Sequence, residues 1–316
     1  MAGLVVLLVG AEFVTRGGGK LAAQLGVPPI LIGLTVVAVG TSAPEFAVGV
    51  DAALRGAGAL AVGNIAGTNT VNLLLILGLS AAMRPLELQM QTIHLDLPVM
   101  IVAALMMLAL AFDGSLSRLD GVVLVLAGVA YTVALVVIAR RESRRVRRQF
   151  EQEYPAPRRR RPDYLAIARS AASLLVGIAV IVVAADWLVD GAVRLARIWE
   201  VSDAFIGLTI VAIGTSAPEL ATTIVSTLKN EREIALGNLL GSSIYNILII
   251  LGGTALIPSS IPVPPELIAI DIPIMVVVAL VCAPVFLSGR RVSRWEGGAF
   301  VGAYALYLTY LLVART

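Results

Sequence analysis

The sequence carries a single cysteine, Cys282, and a single histidine, His94. A lone cysteine forbids a disulfide within the chain, and one thiol with one imidazole offers almost nothing to zinc or haem. Any metal chemistry therefore has to use oxygen ligands. Charge is scarce as well: Asp, Glu, Lys and Arg make up 14% of the 316 residues, against 58% hydrophobic residues and a mean hydropathy of +0.91. That balance excludes a sizeable water-soluble domain and places the chain in a bilayer. The net charge of +3 and pI near 9.2 do not point to nucleic acid. The arginines collect at 140–161, where a membrane protein puts a cytoplasmic loop.

Apolar runs long enough to cross about 30 Å of hydrocarbon recur along the whole length. They predict an all-α membrane protein with ten spans, at 2–23, 29–53, 59–82, 96–113, 119–139, 166–197, 204–227, 234–256, 269–287 and 295–313. The first run lacks a basic leader and continues through Glu12, Arg16 and Lys20 instead of ending in a cleavage site, so it reads as a retained span. The one long polar linker contains Arg144, Arg145, Arg147 and Arg148, then four arginines at 158–161. It is expected as a solvated cytoplasmic loop that can also touch anionic lipid. Ten spans then put both termini outside the cytoplasm. The short loops agree, with Arg16, Lys20, Arg84, Lys229, Arg232, Arg290, Arg291 and Arg294 inside, against Arg55, Arg118, Arg194, Arg197 and Arg315 outside.

The chain also repeats itself. Segment 32–45 reads Ile-Gly-Leu-Thr-Val-Val-Ala-Val-Gly-Thr-Ser-Ala-Pro-Glu, and 206–219 repeats it with Ile210 for Val36 and Ile213 for Val39, at an offset of 174 residues. The same offset pairs Gly63-Asn64 with Gly237-Asn238, Gly67 with Gly241, Thr68 with Ser242 and Asn72 with Asn246. One residue of slip pairs Asp96 with Asp271. The expected organisation is a first five-helix repeat at 1–139, a basic loop at 140–164 and a second repeat at 165–316. An odd number of spans per repeat inverts the second copy, the plan of many secondary transporters whose site lies between repeats near the midplane.

Glu45 and Glu219 each sit within an otherwise apolar span. A carboxylate at that depth costs at least about 2.5 kcal/mol on insertion scales and normally faces a bundle interior or a water-filled cavity. A protonated structural glutamic acid is the plainer reading for one such residue; matched occurrence in both repeats argues for function. Thr41 and Thr215 lie four residues earlier, on the same helical face. Pro44 and Pro218 predict kinks that free backbone carbonyls, tolerated in lipid only where they line a cavity or are buried. The next span of each half carries Gly-x-x-x-Gly, read as close helix packing, beside Thr68 and Asn72 or Ser242 and Asn246 on one face. Carboxylate, hydroxyl, amide and carbonyl oxygens suit Ca2+, which takes about 6–8 oxygen ligands at 2.3–2.6 Å. Two glutamates neutralise one divalent ion, and their repulsion once it leaves has to be relieved by monovalent cations or protons. No nucleophile–base pair is present, so the chain is not expected to be an enzyme.

These paired Gly-Thr-Ser-Ala-Pro-Glu and Gly-Asn-x-x-Gly-(Thr/Ser)-(Asn/Ser)-x-x-Asn segments resemble the α-repeats of the sodium/calcium exchanger family, within the cation/calcium antiporter superfamily, in its compact prokaryotic members. The resemblance covers essentially the whole chain. It implies that Glu45 and Glu219 bind Ca2+ with the carbonyls of Thr41 and Thr215. It further implies Na+ sites at Ser42, Thr68 and the Ala38 carbonyl, with Ser216, Ser242 and the Ala212 carbonyl in the other half, and Asn72 and Asn246 at the middle. The sequence departs from several relatives at Asn246, where they carry aspartate, so two carboxylates remain instead of three. The implied activity is Ca2+ antiport against Na+ by alternating access in a prokaryotic inner membrane, with no cofactor. H+/Ca2+ antiport on the same scaffold stays open, a cation channel fits less well, and the oligomeric state is left open, a monomer included. Asp96 and Asp271 read as interfacial or helix-capping residues, with a gating role as the lesser alternative, and Glu12 and Asp186 as structurally paired, with a sliding or gating contact as the lesser alternative.

Overall fold

The computed structural model describes residues 2–153, 163–198 and 212–314. Helix α1 (Ala2–Leu25) is followed by α2 (Pro29–Thr41) and α3 (Ala43–Leu54), whose axes differ by 41°. The break has a local cause. Pro44 opens α3, has no N–H for the carbonyl of Gly40, and its ring would strike that carbonyl in a straight helix. Ser42 takes up the bend at φ −81°, ψ 11°. The second half repeats this with α8 (Ala212–Thr215), Ser216 at φ −84°, ψ 5°, and α9 (Ala217–Leu228).

Helix α4 runs through Gly58–Thr70, a π-helical stretch at Val71–Ile76, and Leu77–Met83. Helix α5 joins Thr92–Asp96 to Leu97–Leu110, α6 is Arg118–Glu153 and α7 is Tyr164–Ile198. Helix α10 joins Arg232–Tyr245, a π-helical stretch at Asn246–Leu251, and Gly252–Ala255. Helix α11 joins Leu267–Asp271 to Ile272–Leu287, and α12 is Arg294–Ala314. The π-helical stretches of α4 and α10, and those opening α5 and α11, fall at repeat-matched positions. Helix lies at each expected span position, although 199–211, with the start of the seventh, falls outside the described residues. Among the described residues six helices are long and apolar enough to cross a membrane, seven when α2 with α3 is one broken span.

The expected loop at 140–164 is partly helix, because α6 continues to Glu153. Between Gly128 and Pro155 there is neither glycine nor proline, and the polar part is mostly Arg, Glu and Gln, all good helix formers. The arginines at 158–161, like Arg315, lie outside the described residues. Two short antiparallel ribbons tie the connections. Strand β1 (Leu86–Glu87) pairs with β4 (Arg291–Val292), and β2 (Ser115–Ser117) with β3 (Ser260–Pro262). Each ribbon takes one strand from each half.

Two apolar clusters form. The larger is built from α2 to α6 and α10 to α12. The smaller joins α1 and α7 through Leu7, Ala11, Val14, Leu174, Ile181 and Ala185, and rests on one face of α2 and α9. Glycines permit that pairing: a Cβ at Gly10 would lie 3.1 Å from the Gly177 carbonyl, and one at Gly17 would lie 2.8 Å from the Leu174 nitrogen. Advancing along α1 means retreating along α7, so these repeat-matched helices are antiparallel. Helices α2 and α10 approach as closely, since a Cβ at Gly237 would lie 2.6 Å from the Ile30 carbonyl. The Gly-x-x-x-Gly of α10 is therefore a packing seam, as expected. The segment that the repeat sets opposite Gly63 and Gly67 falls almost wholly outside the described residues.

Candidate functional site

The two helix breaks meet in the interior. Glu45 and Glu219 stand in the first turns of α3 and α9, and both are 0% exposed. Ser42 Oγ, at the break of the first half, donates to Glu219 Oε1 of the second at 3.2 Å. Ser242 Oγ of α10 lies 3.4 Å from the same oxygen and 3.4 Å from the Ala38 carbonyl, a donor position toward either. Thr41 Oγ1 lies 3.3 Å from the Ala38 carbonyl, 3.0 Å from Asn238 Oδ1 and 3.4 Å from Ser242 Oγ. Carboxylate, carbonyl and hydroxyl oxygens from both halves thus converge on one locus.

The other expected residues are buried around it. Both carboxylate oxygens of Glu45, Glu219 Oε2, Thr68 Oγ1, the amide atoms of Asn72, Ser216 Oγ and Asn246 Oδ1 accept or donate no hydrogen bond among the described residues. Buried polar atoms are almost always partnered, so three unpartnered oxygens on the two buried carboxylates mark a place built to bind something polar. The stretch bearing Asn72 packs against α9 and α10. Thr215 is buried at the second break, and of Ala212 only the backbone is described. No cluster of three or more His, Cys, Asp or Glu side chains occurs among the described residues. The two carboxylates and the neutral oxygens beside them make a hard oxygen environment.

Four polar residues there received no role in the sequence reading. Asn238 accepts from Thr41 through its carbonyl oxygen, and its amide donates to Thr223 Oγ1 at 3.1 Å and to the Glu219 carbonyl at 3.4 Å. Asn69 accepts from Asn246 Nδ2 at 3.2 Å and donates to the Ser243 carbonyl at 3.0 Å. The matched Gly-Asn pairs were a signal for Asn238, and the (Asn/Ser) position of the doubled motif one for Asn69 and Ser243; nothing in the spacing pointed to Thr223. Asn246, for its part, turns its amide away to Asn69, which leaves its oxygen for the site.

Asp96 and Asp271 depart from the expectation of interfacial or capping residues. Helix α5 begins at Thr92, one turn earlier than hydropathy indicates, so Asp96 is 0% exposed and accepts a hydrogen bond from Tyr131 at 3.0 Å. Asp271 accepts from Tyr307 at 3.3 Å in the matching position. Each half thus ties its fourth span to its fifth. Glu12 pairs with Arg16 as expected, and also with Lys229.

Comparison with known proteins agrees with this construction. The profile of the sodium/calcium exchanger protein family matches residues 1–137 and 169–313. The inner membrane protein YrbG of Escherichia coli K12 is 35% identical over 316 residues, spanning 98% of this chain and 95% of that protein. The sodium/calcium exchanger MaX1 of Methanosarcina acetivorans is 29% identical, covering 98% of this chain and 97% of the relative. A solved structure of the sodium-calcium exchanger NCX_Mj, soaked with Na+ and Ca2+, superposes with a TM-score of 0.82 at 27% identity, over 98% of this chain and 96% of that one. The chain is an integral membrane transporter, not an enzyme, and belongs to the sodium/calcium exchanger protein family.

Proposed function

We propose that this protein exchanges Ca2+ for Na+ across the membrane by alternating access, at a central site of paired glutamates where two inverted five-helix repeats meet. The observation that carries it is the convergence of Glu45 and Glu219, both fully buried, at proline breaks whose hydroxyls cross from one half to the other. Buried carboxylates with lone oxygens need a cation, and two of them balance one Ca2+.

In this reading Glu45 and Glu219 bind Ca2+ with the Thr41 and Thr215 carbonyls. Ser42, Thr68 and the Ala38 carbonyl, with Ser216, Ser242 and the Ala212 carbonyl, serve Na+, and Asn72 and Asn246 close the middle. The site cannot stay empty at low energy, because two bare carboxylates would face each other in a low-dielectric interior. Exchange follows from that constraint: one load leaves only as another arrives. The α1–α7 pair, with its own apolar cluster, is the body that moves against the rest. The inverted arrangement is supported by antiparallel α1 and α7. It is supported as well by the ribbons, each joining connections that an even number of spans separates.

The test is calcium uptake into proteoliposomes loaded with Na+, against matched vesicles loaded with K+ and against an imposed pH gradient. Uptake is expected only with the outward Na+ gradient, and E45Q and E219Q are each expected to abolish it. Preserved flux in both variants would remove the central claim. A second reading is favoured by Asn246, which leaves the site with two carboxylates: H+ as the coupling ion, seen as uptake driven by the pH gradient without Na+.

A further inference from the structure

Glu12, midway along α1, pairs with Lys229, the residue that follows α9, and with Arg16 one turn along its own helix. Beside this pair the buried hydroxyls of Thr15 and Ser226 lie 2.8 Å apart. One ion pair and one hydrogen bond thus tie α1 to the end of α9. The repeat maps Glu12 onto Asp186 and Lys229 onto Arg55, each at 174 residues, with the signs of charge preserved. The mates are not joined. Arg55 Nε instead donates to Asp51 Oδ1 at 2.9 Å, one turn back, and Asp186 forms no ion pair among the described residues, its charged neighbour being Asp190. The closed pair is the sheltered one: Lys229 and Glu12 side chains are 33% and 29% exposed, against 75% and 59% for Arg55 and Asp51.

We propose that these four residues form two latches that close in turn: Glu12 with Lys229 in the state seen here, and Asp186 with Arg55 in the opposite state. The inference rests on the alternating-access reading and adds to it the residues that position the moving pair. They touch no transported ion. Helices α1 and α7 interlock through Gly10, Gly17 and Gly177 and move as one body. A body that slides toward the end of α9 withdraws from the end of α3, so one latch opens as the other closes. One residue of each latch has a substitute partner on its own helix, Asp51 for Arg55 and Arg16 for Glu12. The hydroxyl bond has no counterpart, since the mates of Thr15 and Ser226 are Val189 and Ala52. The state seen here is therefore the better held of the two.

The first test needs no ion flux. In a Cys282→Ala chain in membrane vesicles, the pairs E12C with K229C and D186C with R55C are treated with a short bifunctional thiol reagent. Each pair is expected to cross-link alone, and a chain carrying all four cysteines is expected to accept one link but not both. Double linkage in one molecule would overturn the latches, whichever ion is transported. The second test is apparent Ca2+ affinity at each face of the membrane. K229E and R55E are expected to shift the two faces in opposite directions by about two- to fivefold, the range for a partly exposed ion pair. The swap E12K with K229E is expected to restore the balance. Equal shifts at both faces, or no rescue, would mean that the pairs only hold the fold. Failure of all Ca2+ transport in the unmodified protein would strike the proposed function and leave the cross-linking result standing.

Discussion

Asn238 shows how much a single amide does at the centre of this molecule. It is buried, it accepts from Thr41 of the first half, and it donates to Thr223 and to the Glu219 carbonyl of the second. Replacing it by alanine removes three buried hydrogen bonds, each worth about 0.5–1.5 kcal/mol. N238A is expected to unfold at lower temperature in detergent and to lose most Ca2+ uptake, whereas N238D, which keeps an acceptor for Thr41, is expected to retain the Thr41 contact and more of the activity. Thermal unfolding and initial uptake rates on the same preparations check this; equal behaviour of the two variants would show that the Thr41 contact is dispensable. The burial of Glu45 and Glu219 was legible in the sequence because carboxylates in apolar spans are rare and these two recur. Asn238 was visible as a repeated Gly-Asn, but its partners come from two other helices and no spacing along the chain records them.

At the scale of the element, the broken helices and the glycine seam do the positioning. Pro44 and Pro218 set the breaks, and the structure puts the bends at Ser42 and Ser216, one residue past the Gly40-Thr41 and Gly214-Thr215 steps where the prolines predict kinks. The seam between α2 and α10 holds the Ala38 carbonyl against Ser242, because no side chain stands between the backbones at Gly237 and Gly241. A methyl group at Gly237 would meet backbone atoms at 2.6–2.9 Å, and backbone cannot step aside as a rotamer can. G237A is expected to destabilise the protein by about 1–3 kcal/mol, the usual cost of overpacking. G302A, where a Cβ meets nothing within 4 Å among the described residues, is the control expected to leave unfolding unchanged. The extent of α6 and the early start of α5 were not legible. Hydropathy marks where a helix is apolar, while the extent of a helix follows from propensity.

For the whole molecule, the two ribbons constrain topology. They join the α4–α5 connection to that between α11 and α12, and the α5–α6 connection to that between α10 and α11. Joined connections share a side of the membrane. In the proposed ten-span topology, with the basic linker inside, both chain ends are expected outside the cytoplasm. Tags placed at each terminus are expected to be labelled by a membrane-impermeant reagent in intact cells, and a tag within 154–162 only after lysis. Labelling of one terminus alone would break the ten-span count.

The sequence by itself determined the membrane setting, the repeat, the two carboxylates and the positions of the helix breaks. Each of these is a local property, namely composition, periodicity, a rare charge in an apolar run, or a proline without its N–H. The tertiary structure decided which oxygens meet. Ser42 reaches a glutamate 177 positions away, Asn238 bridges two halves, and Glu12 closes on Lys229 while its repeat mate does not close on Arg55. A repeat encodes the same partners twice, yet only one of the two pairs is closed. That asymmetry exists only in three dimensions.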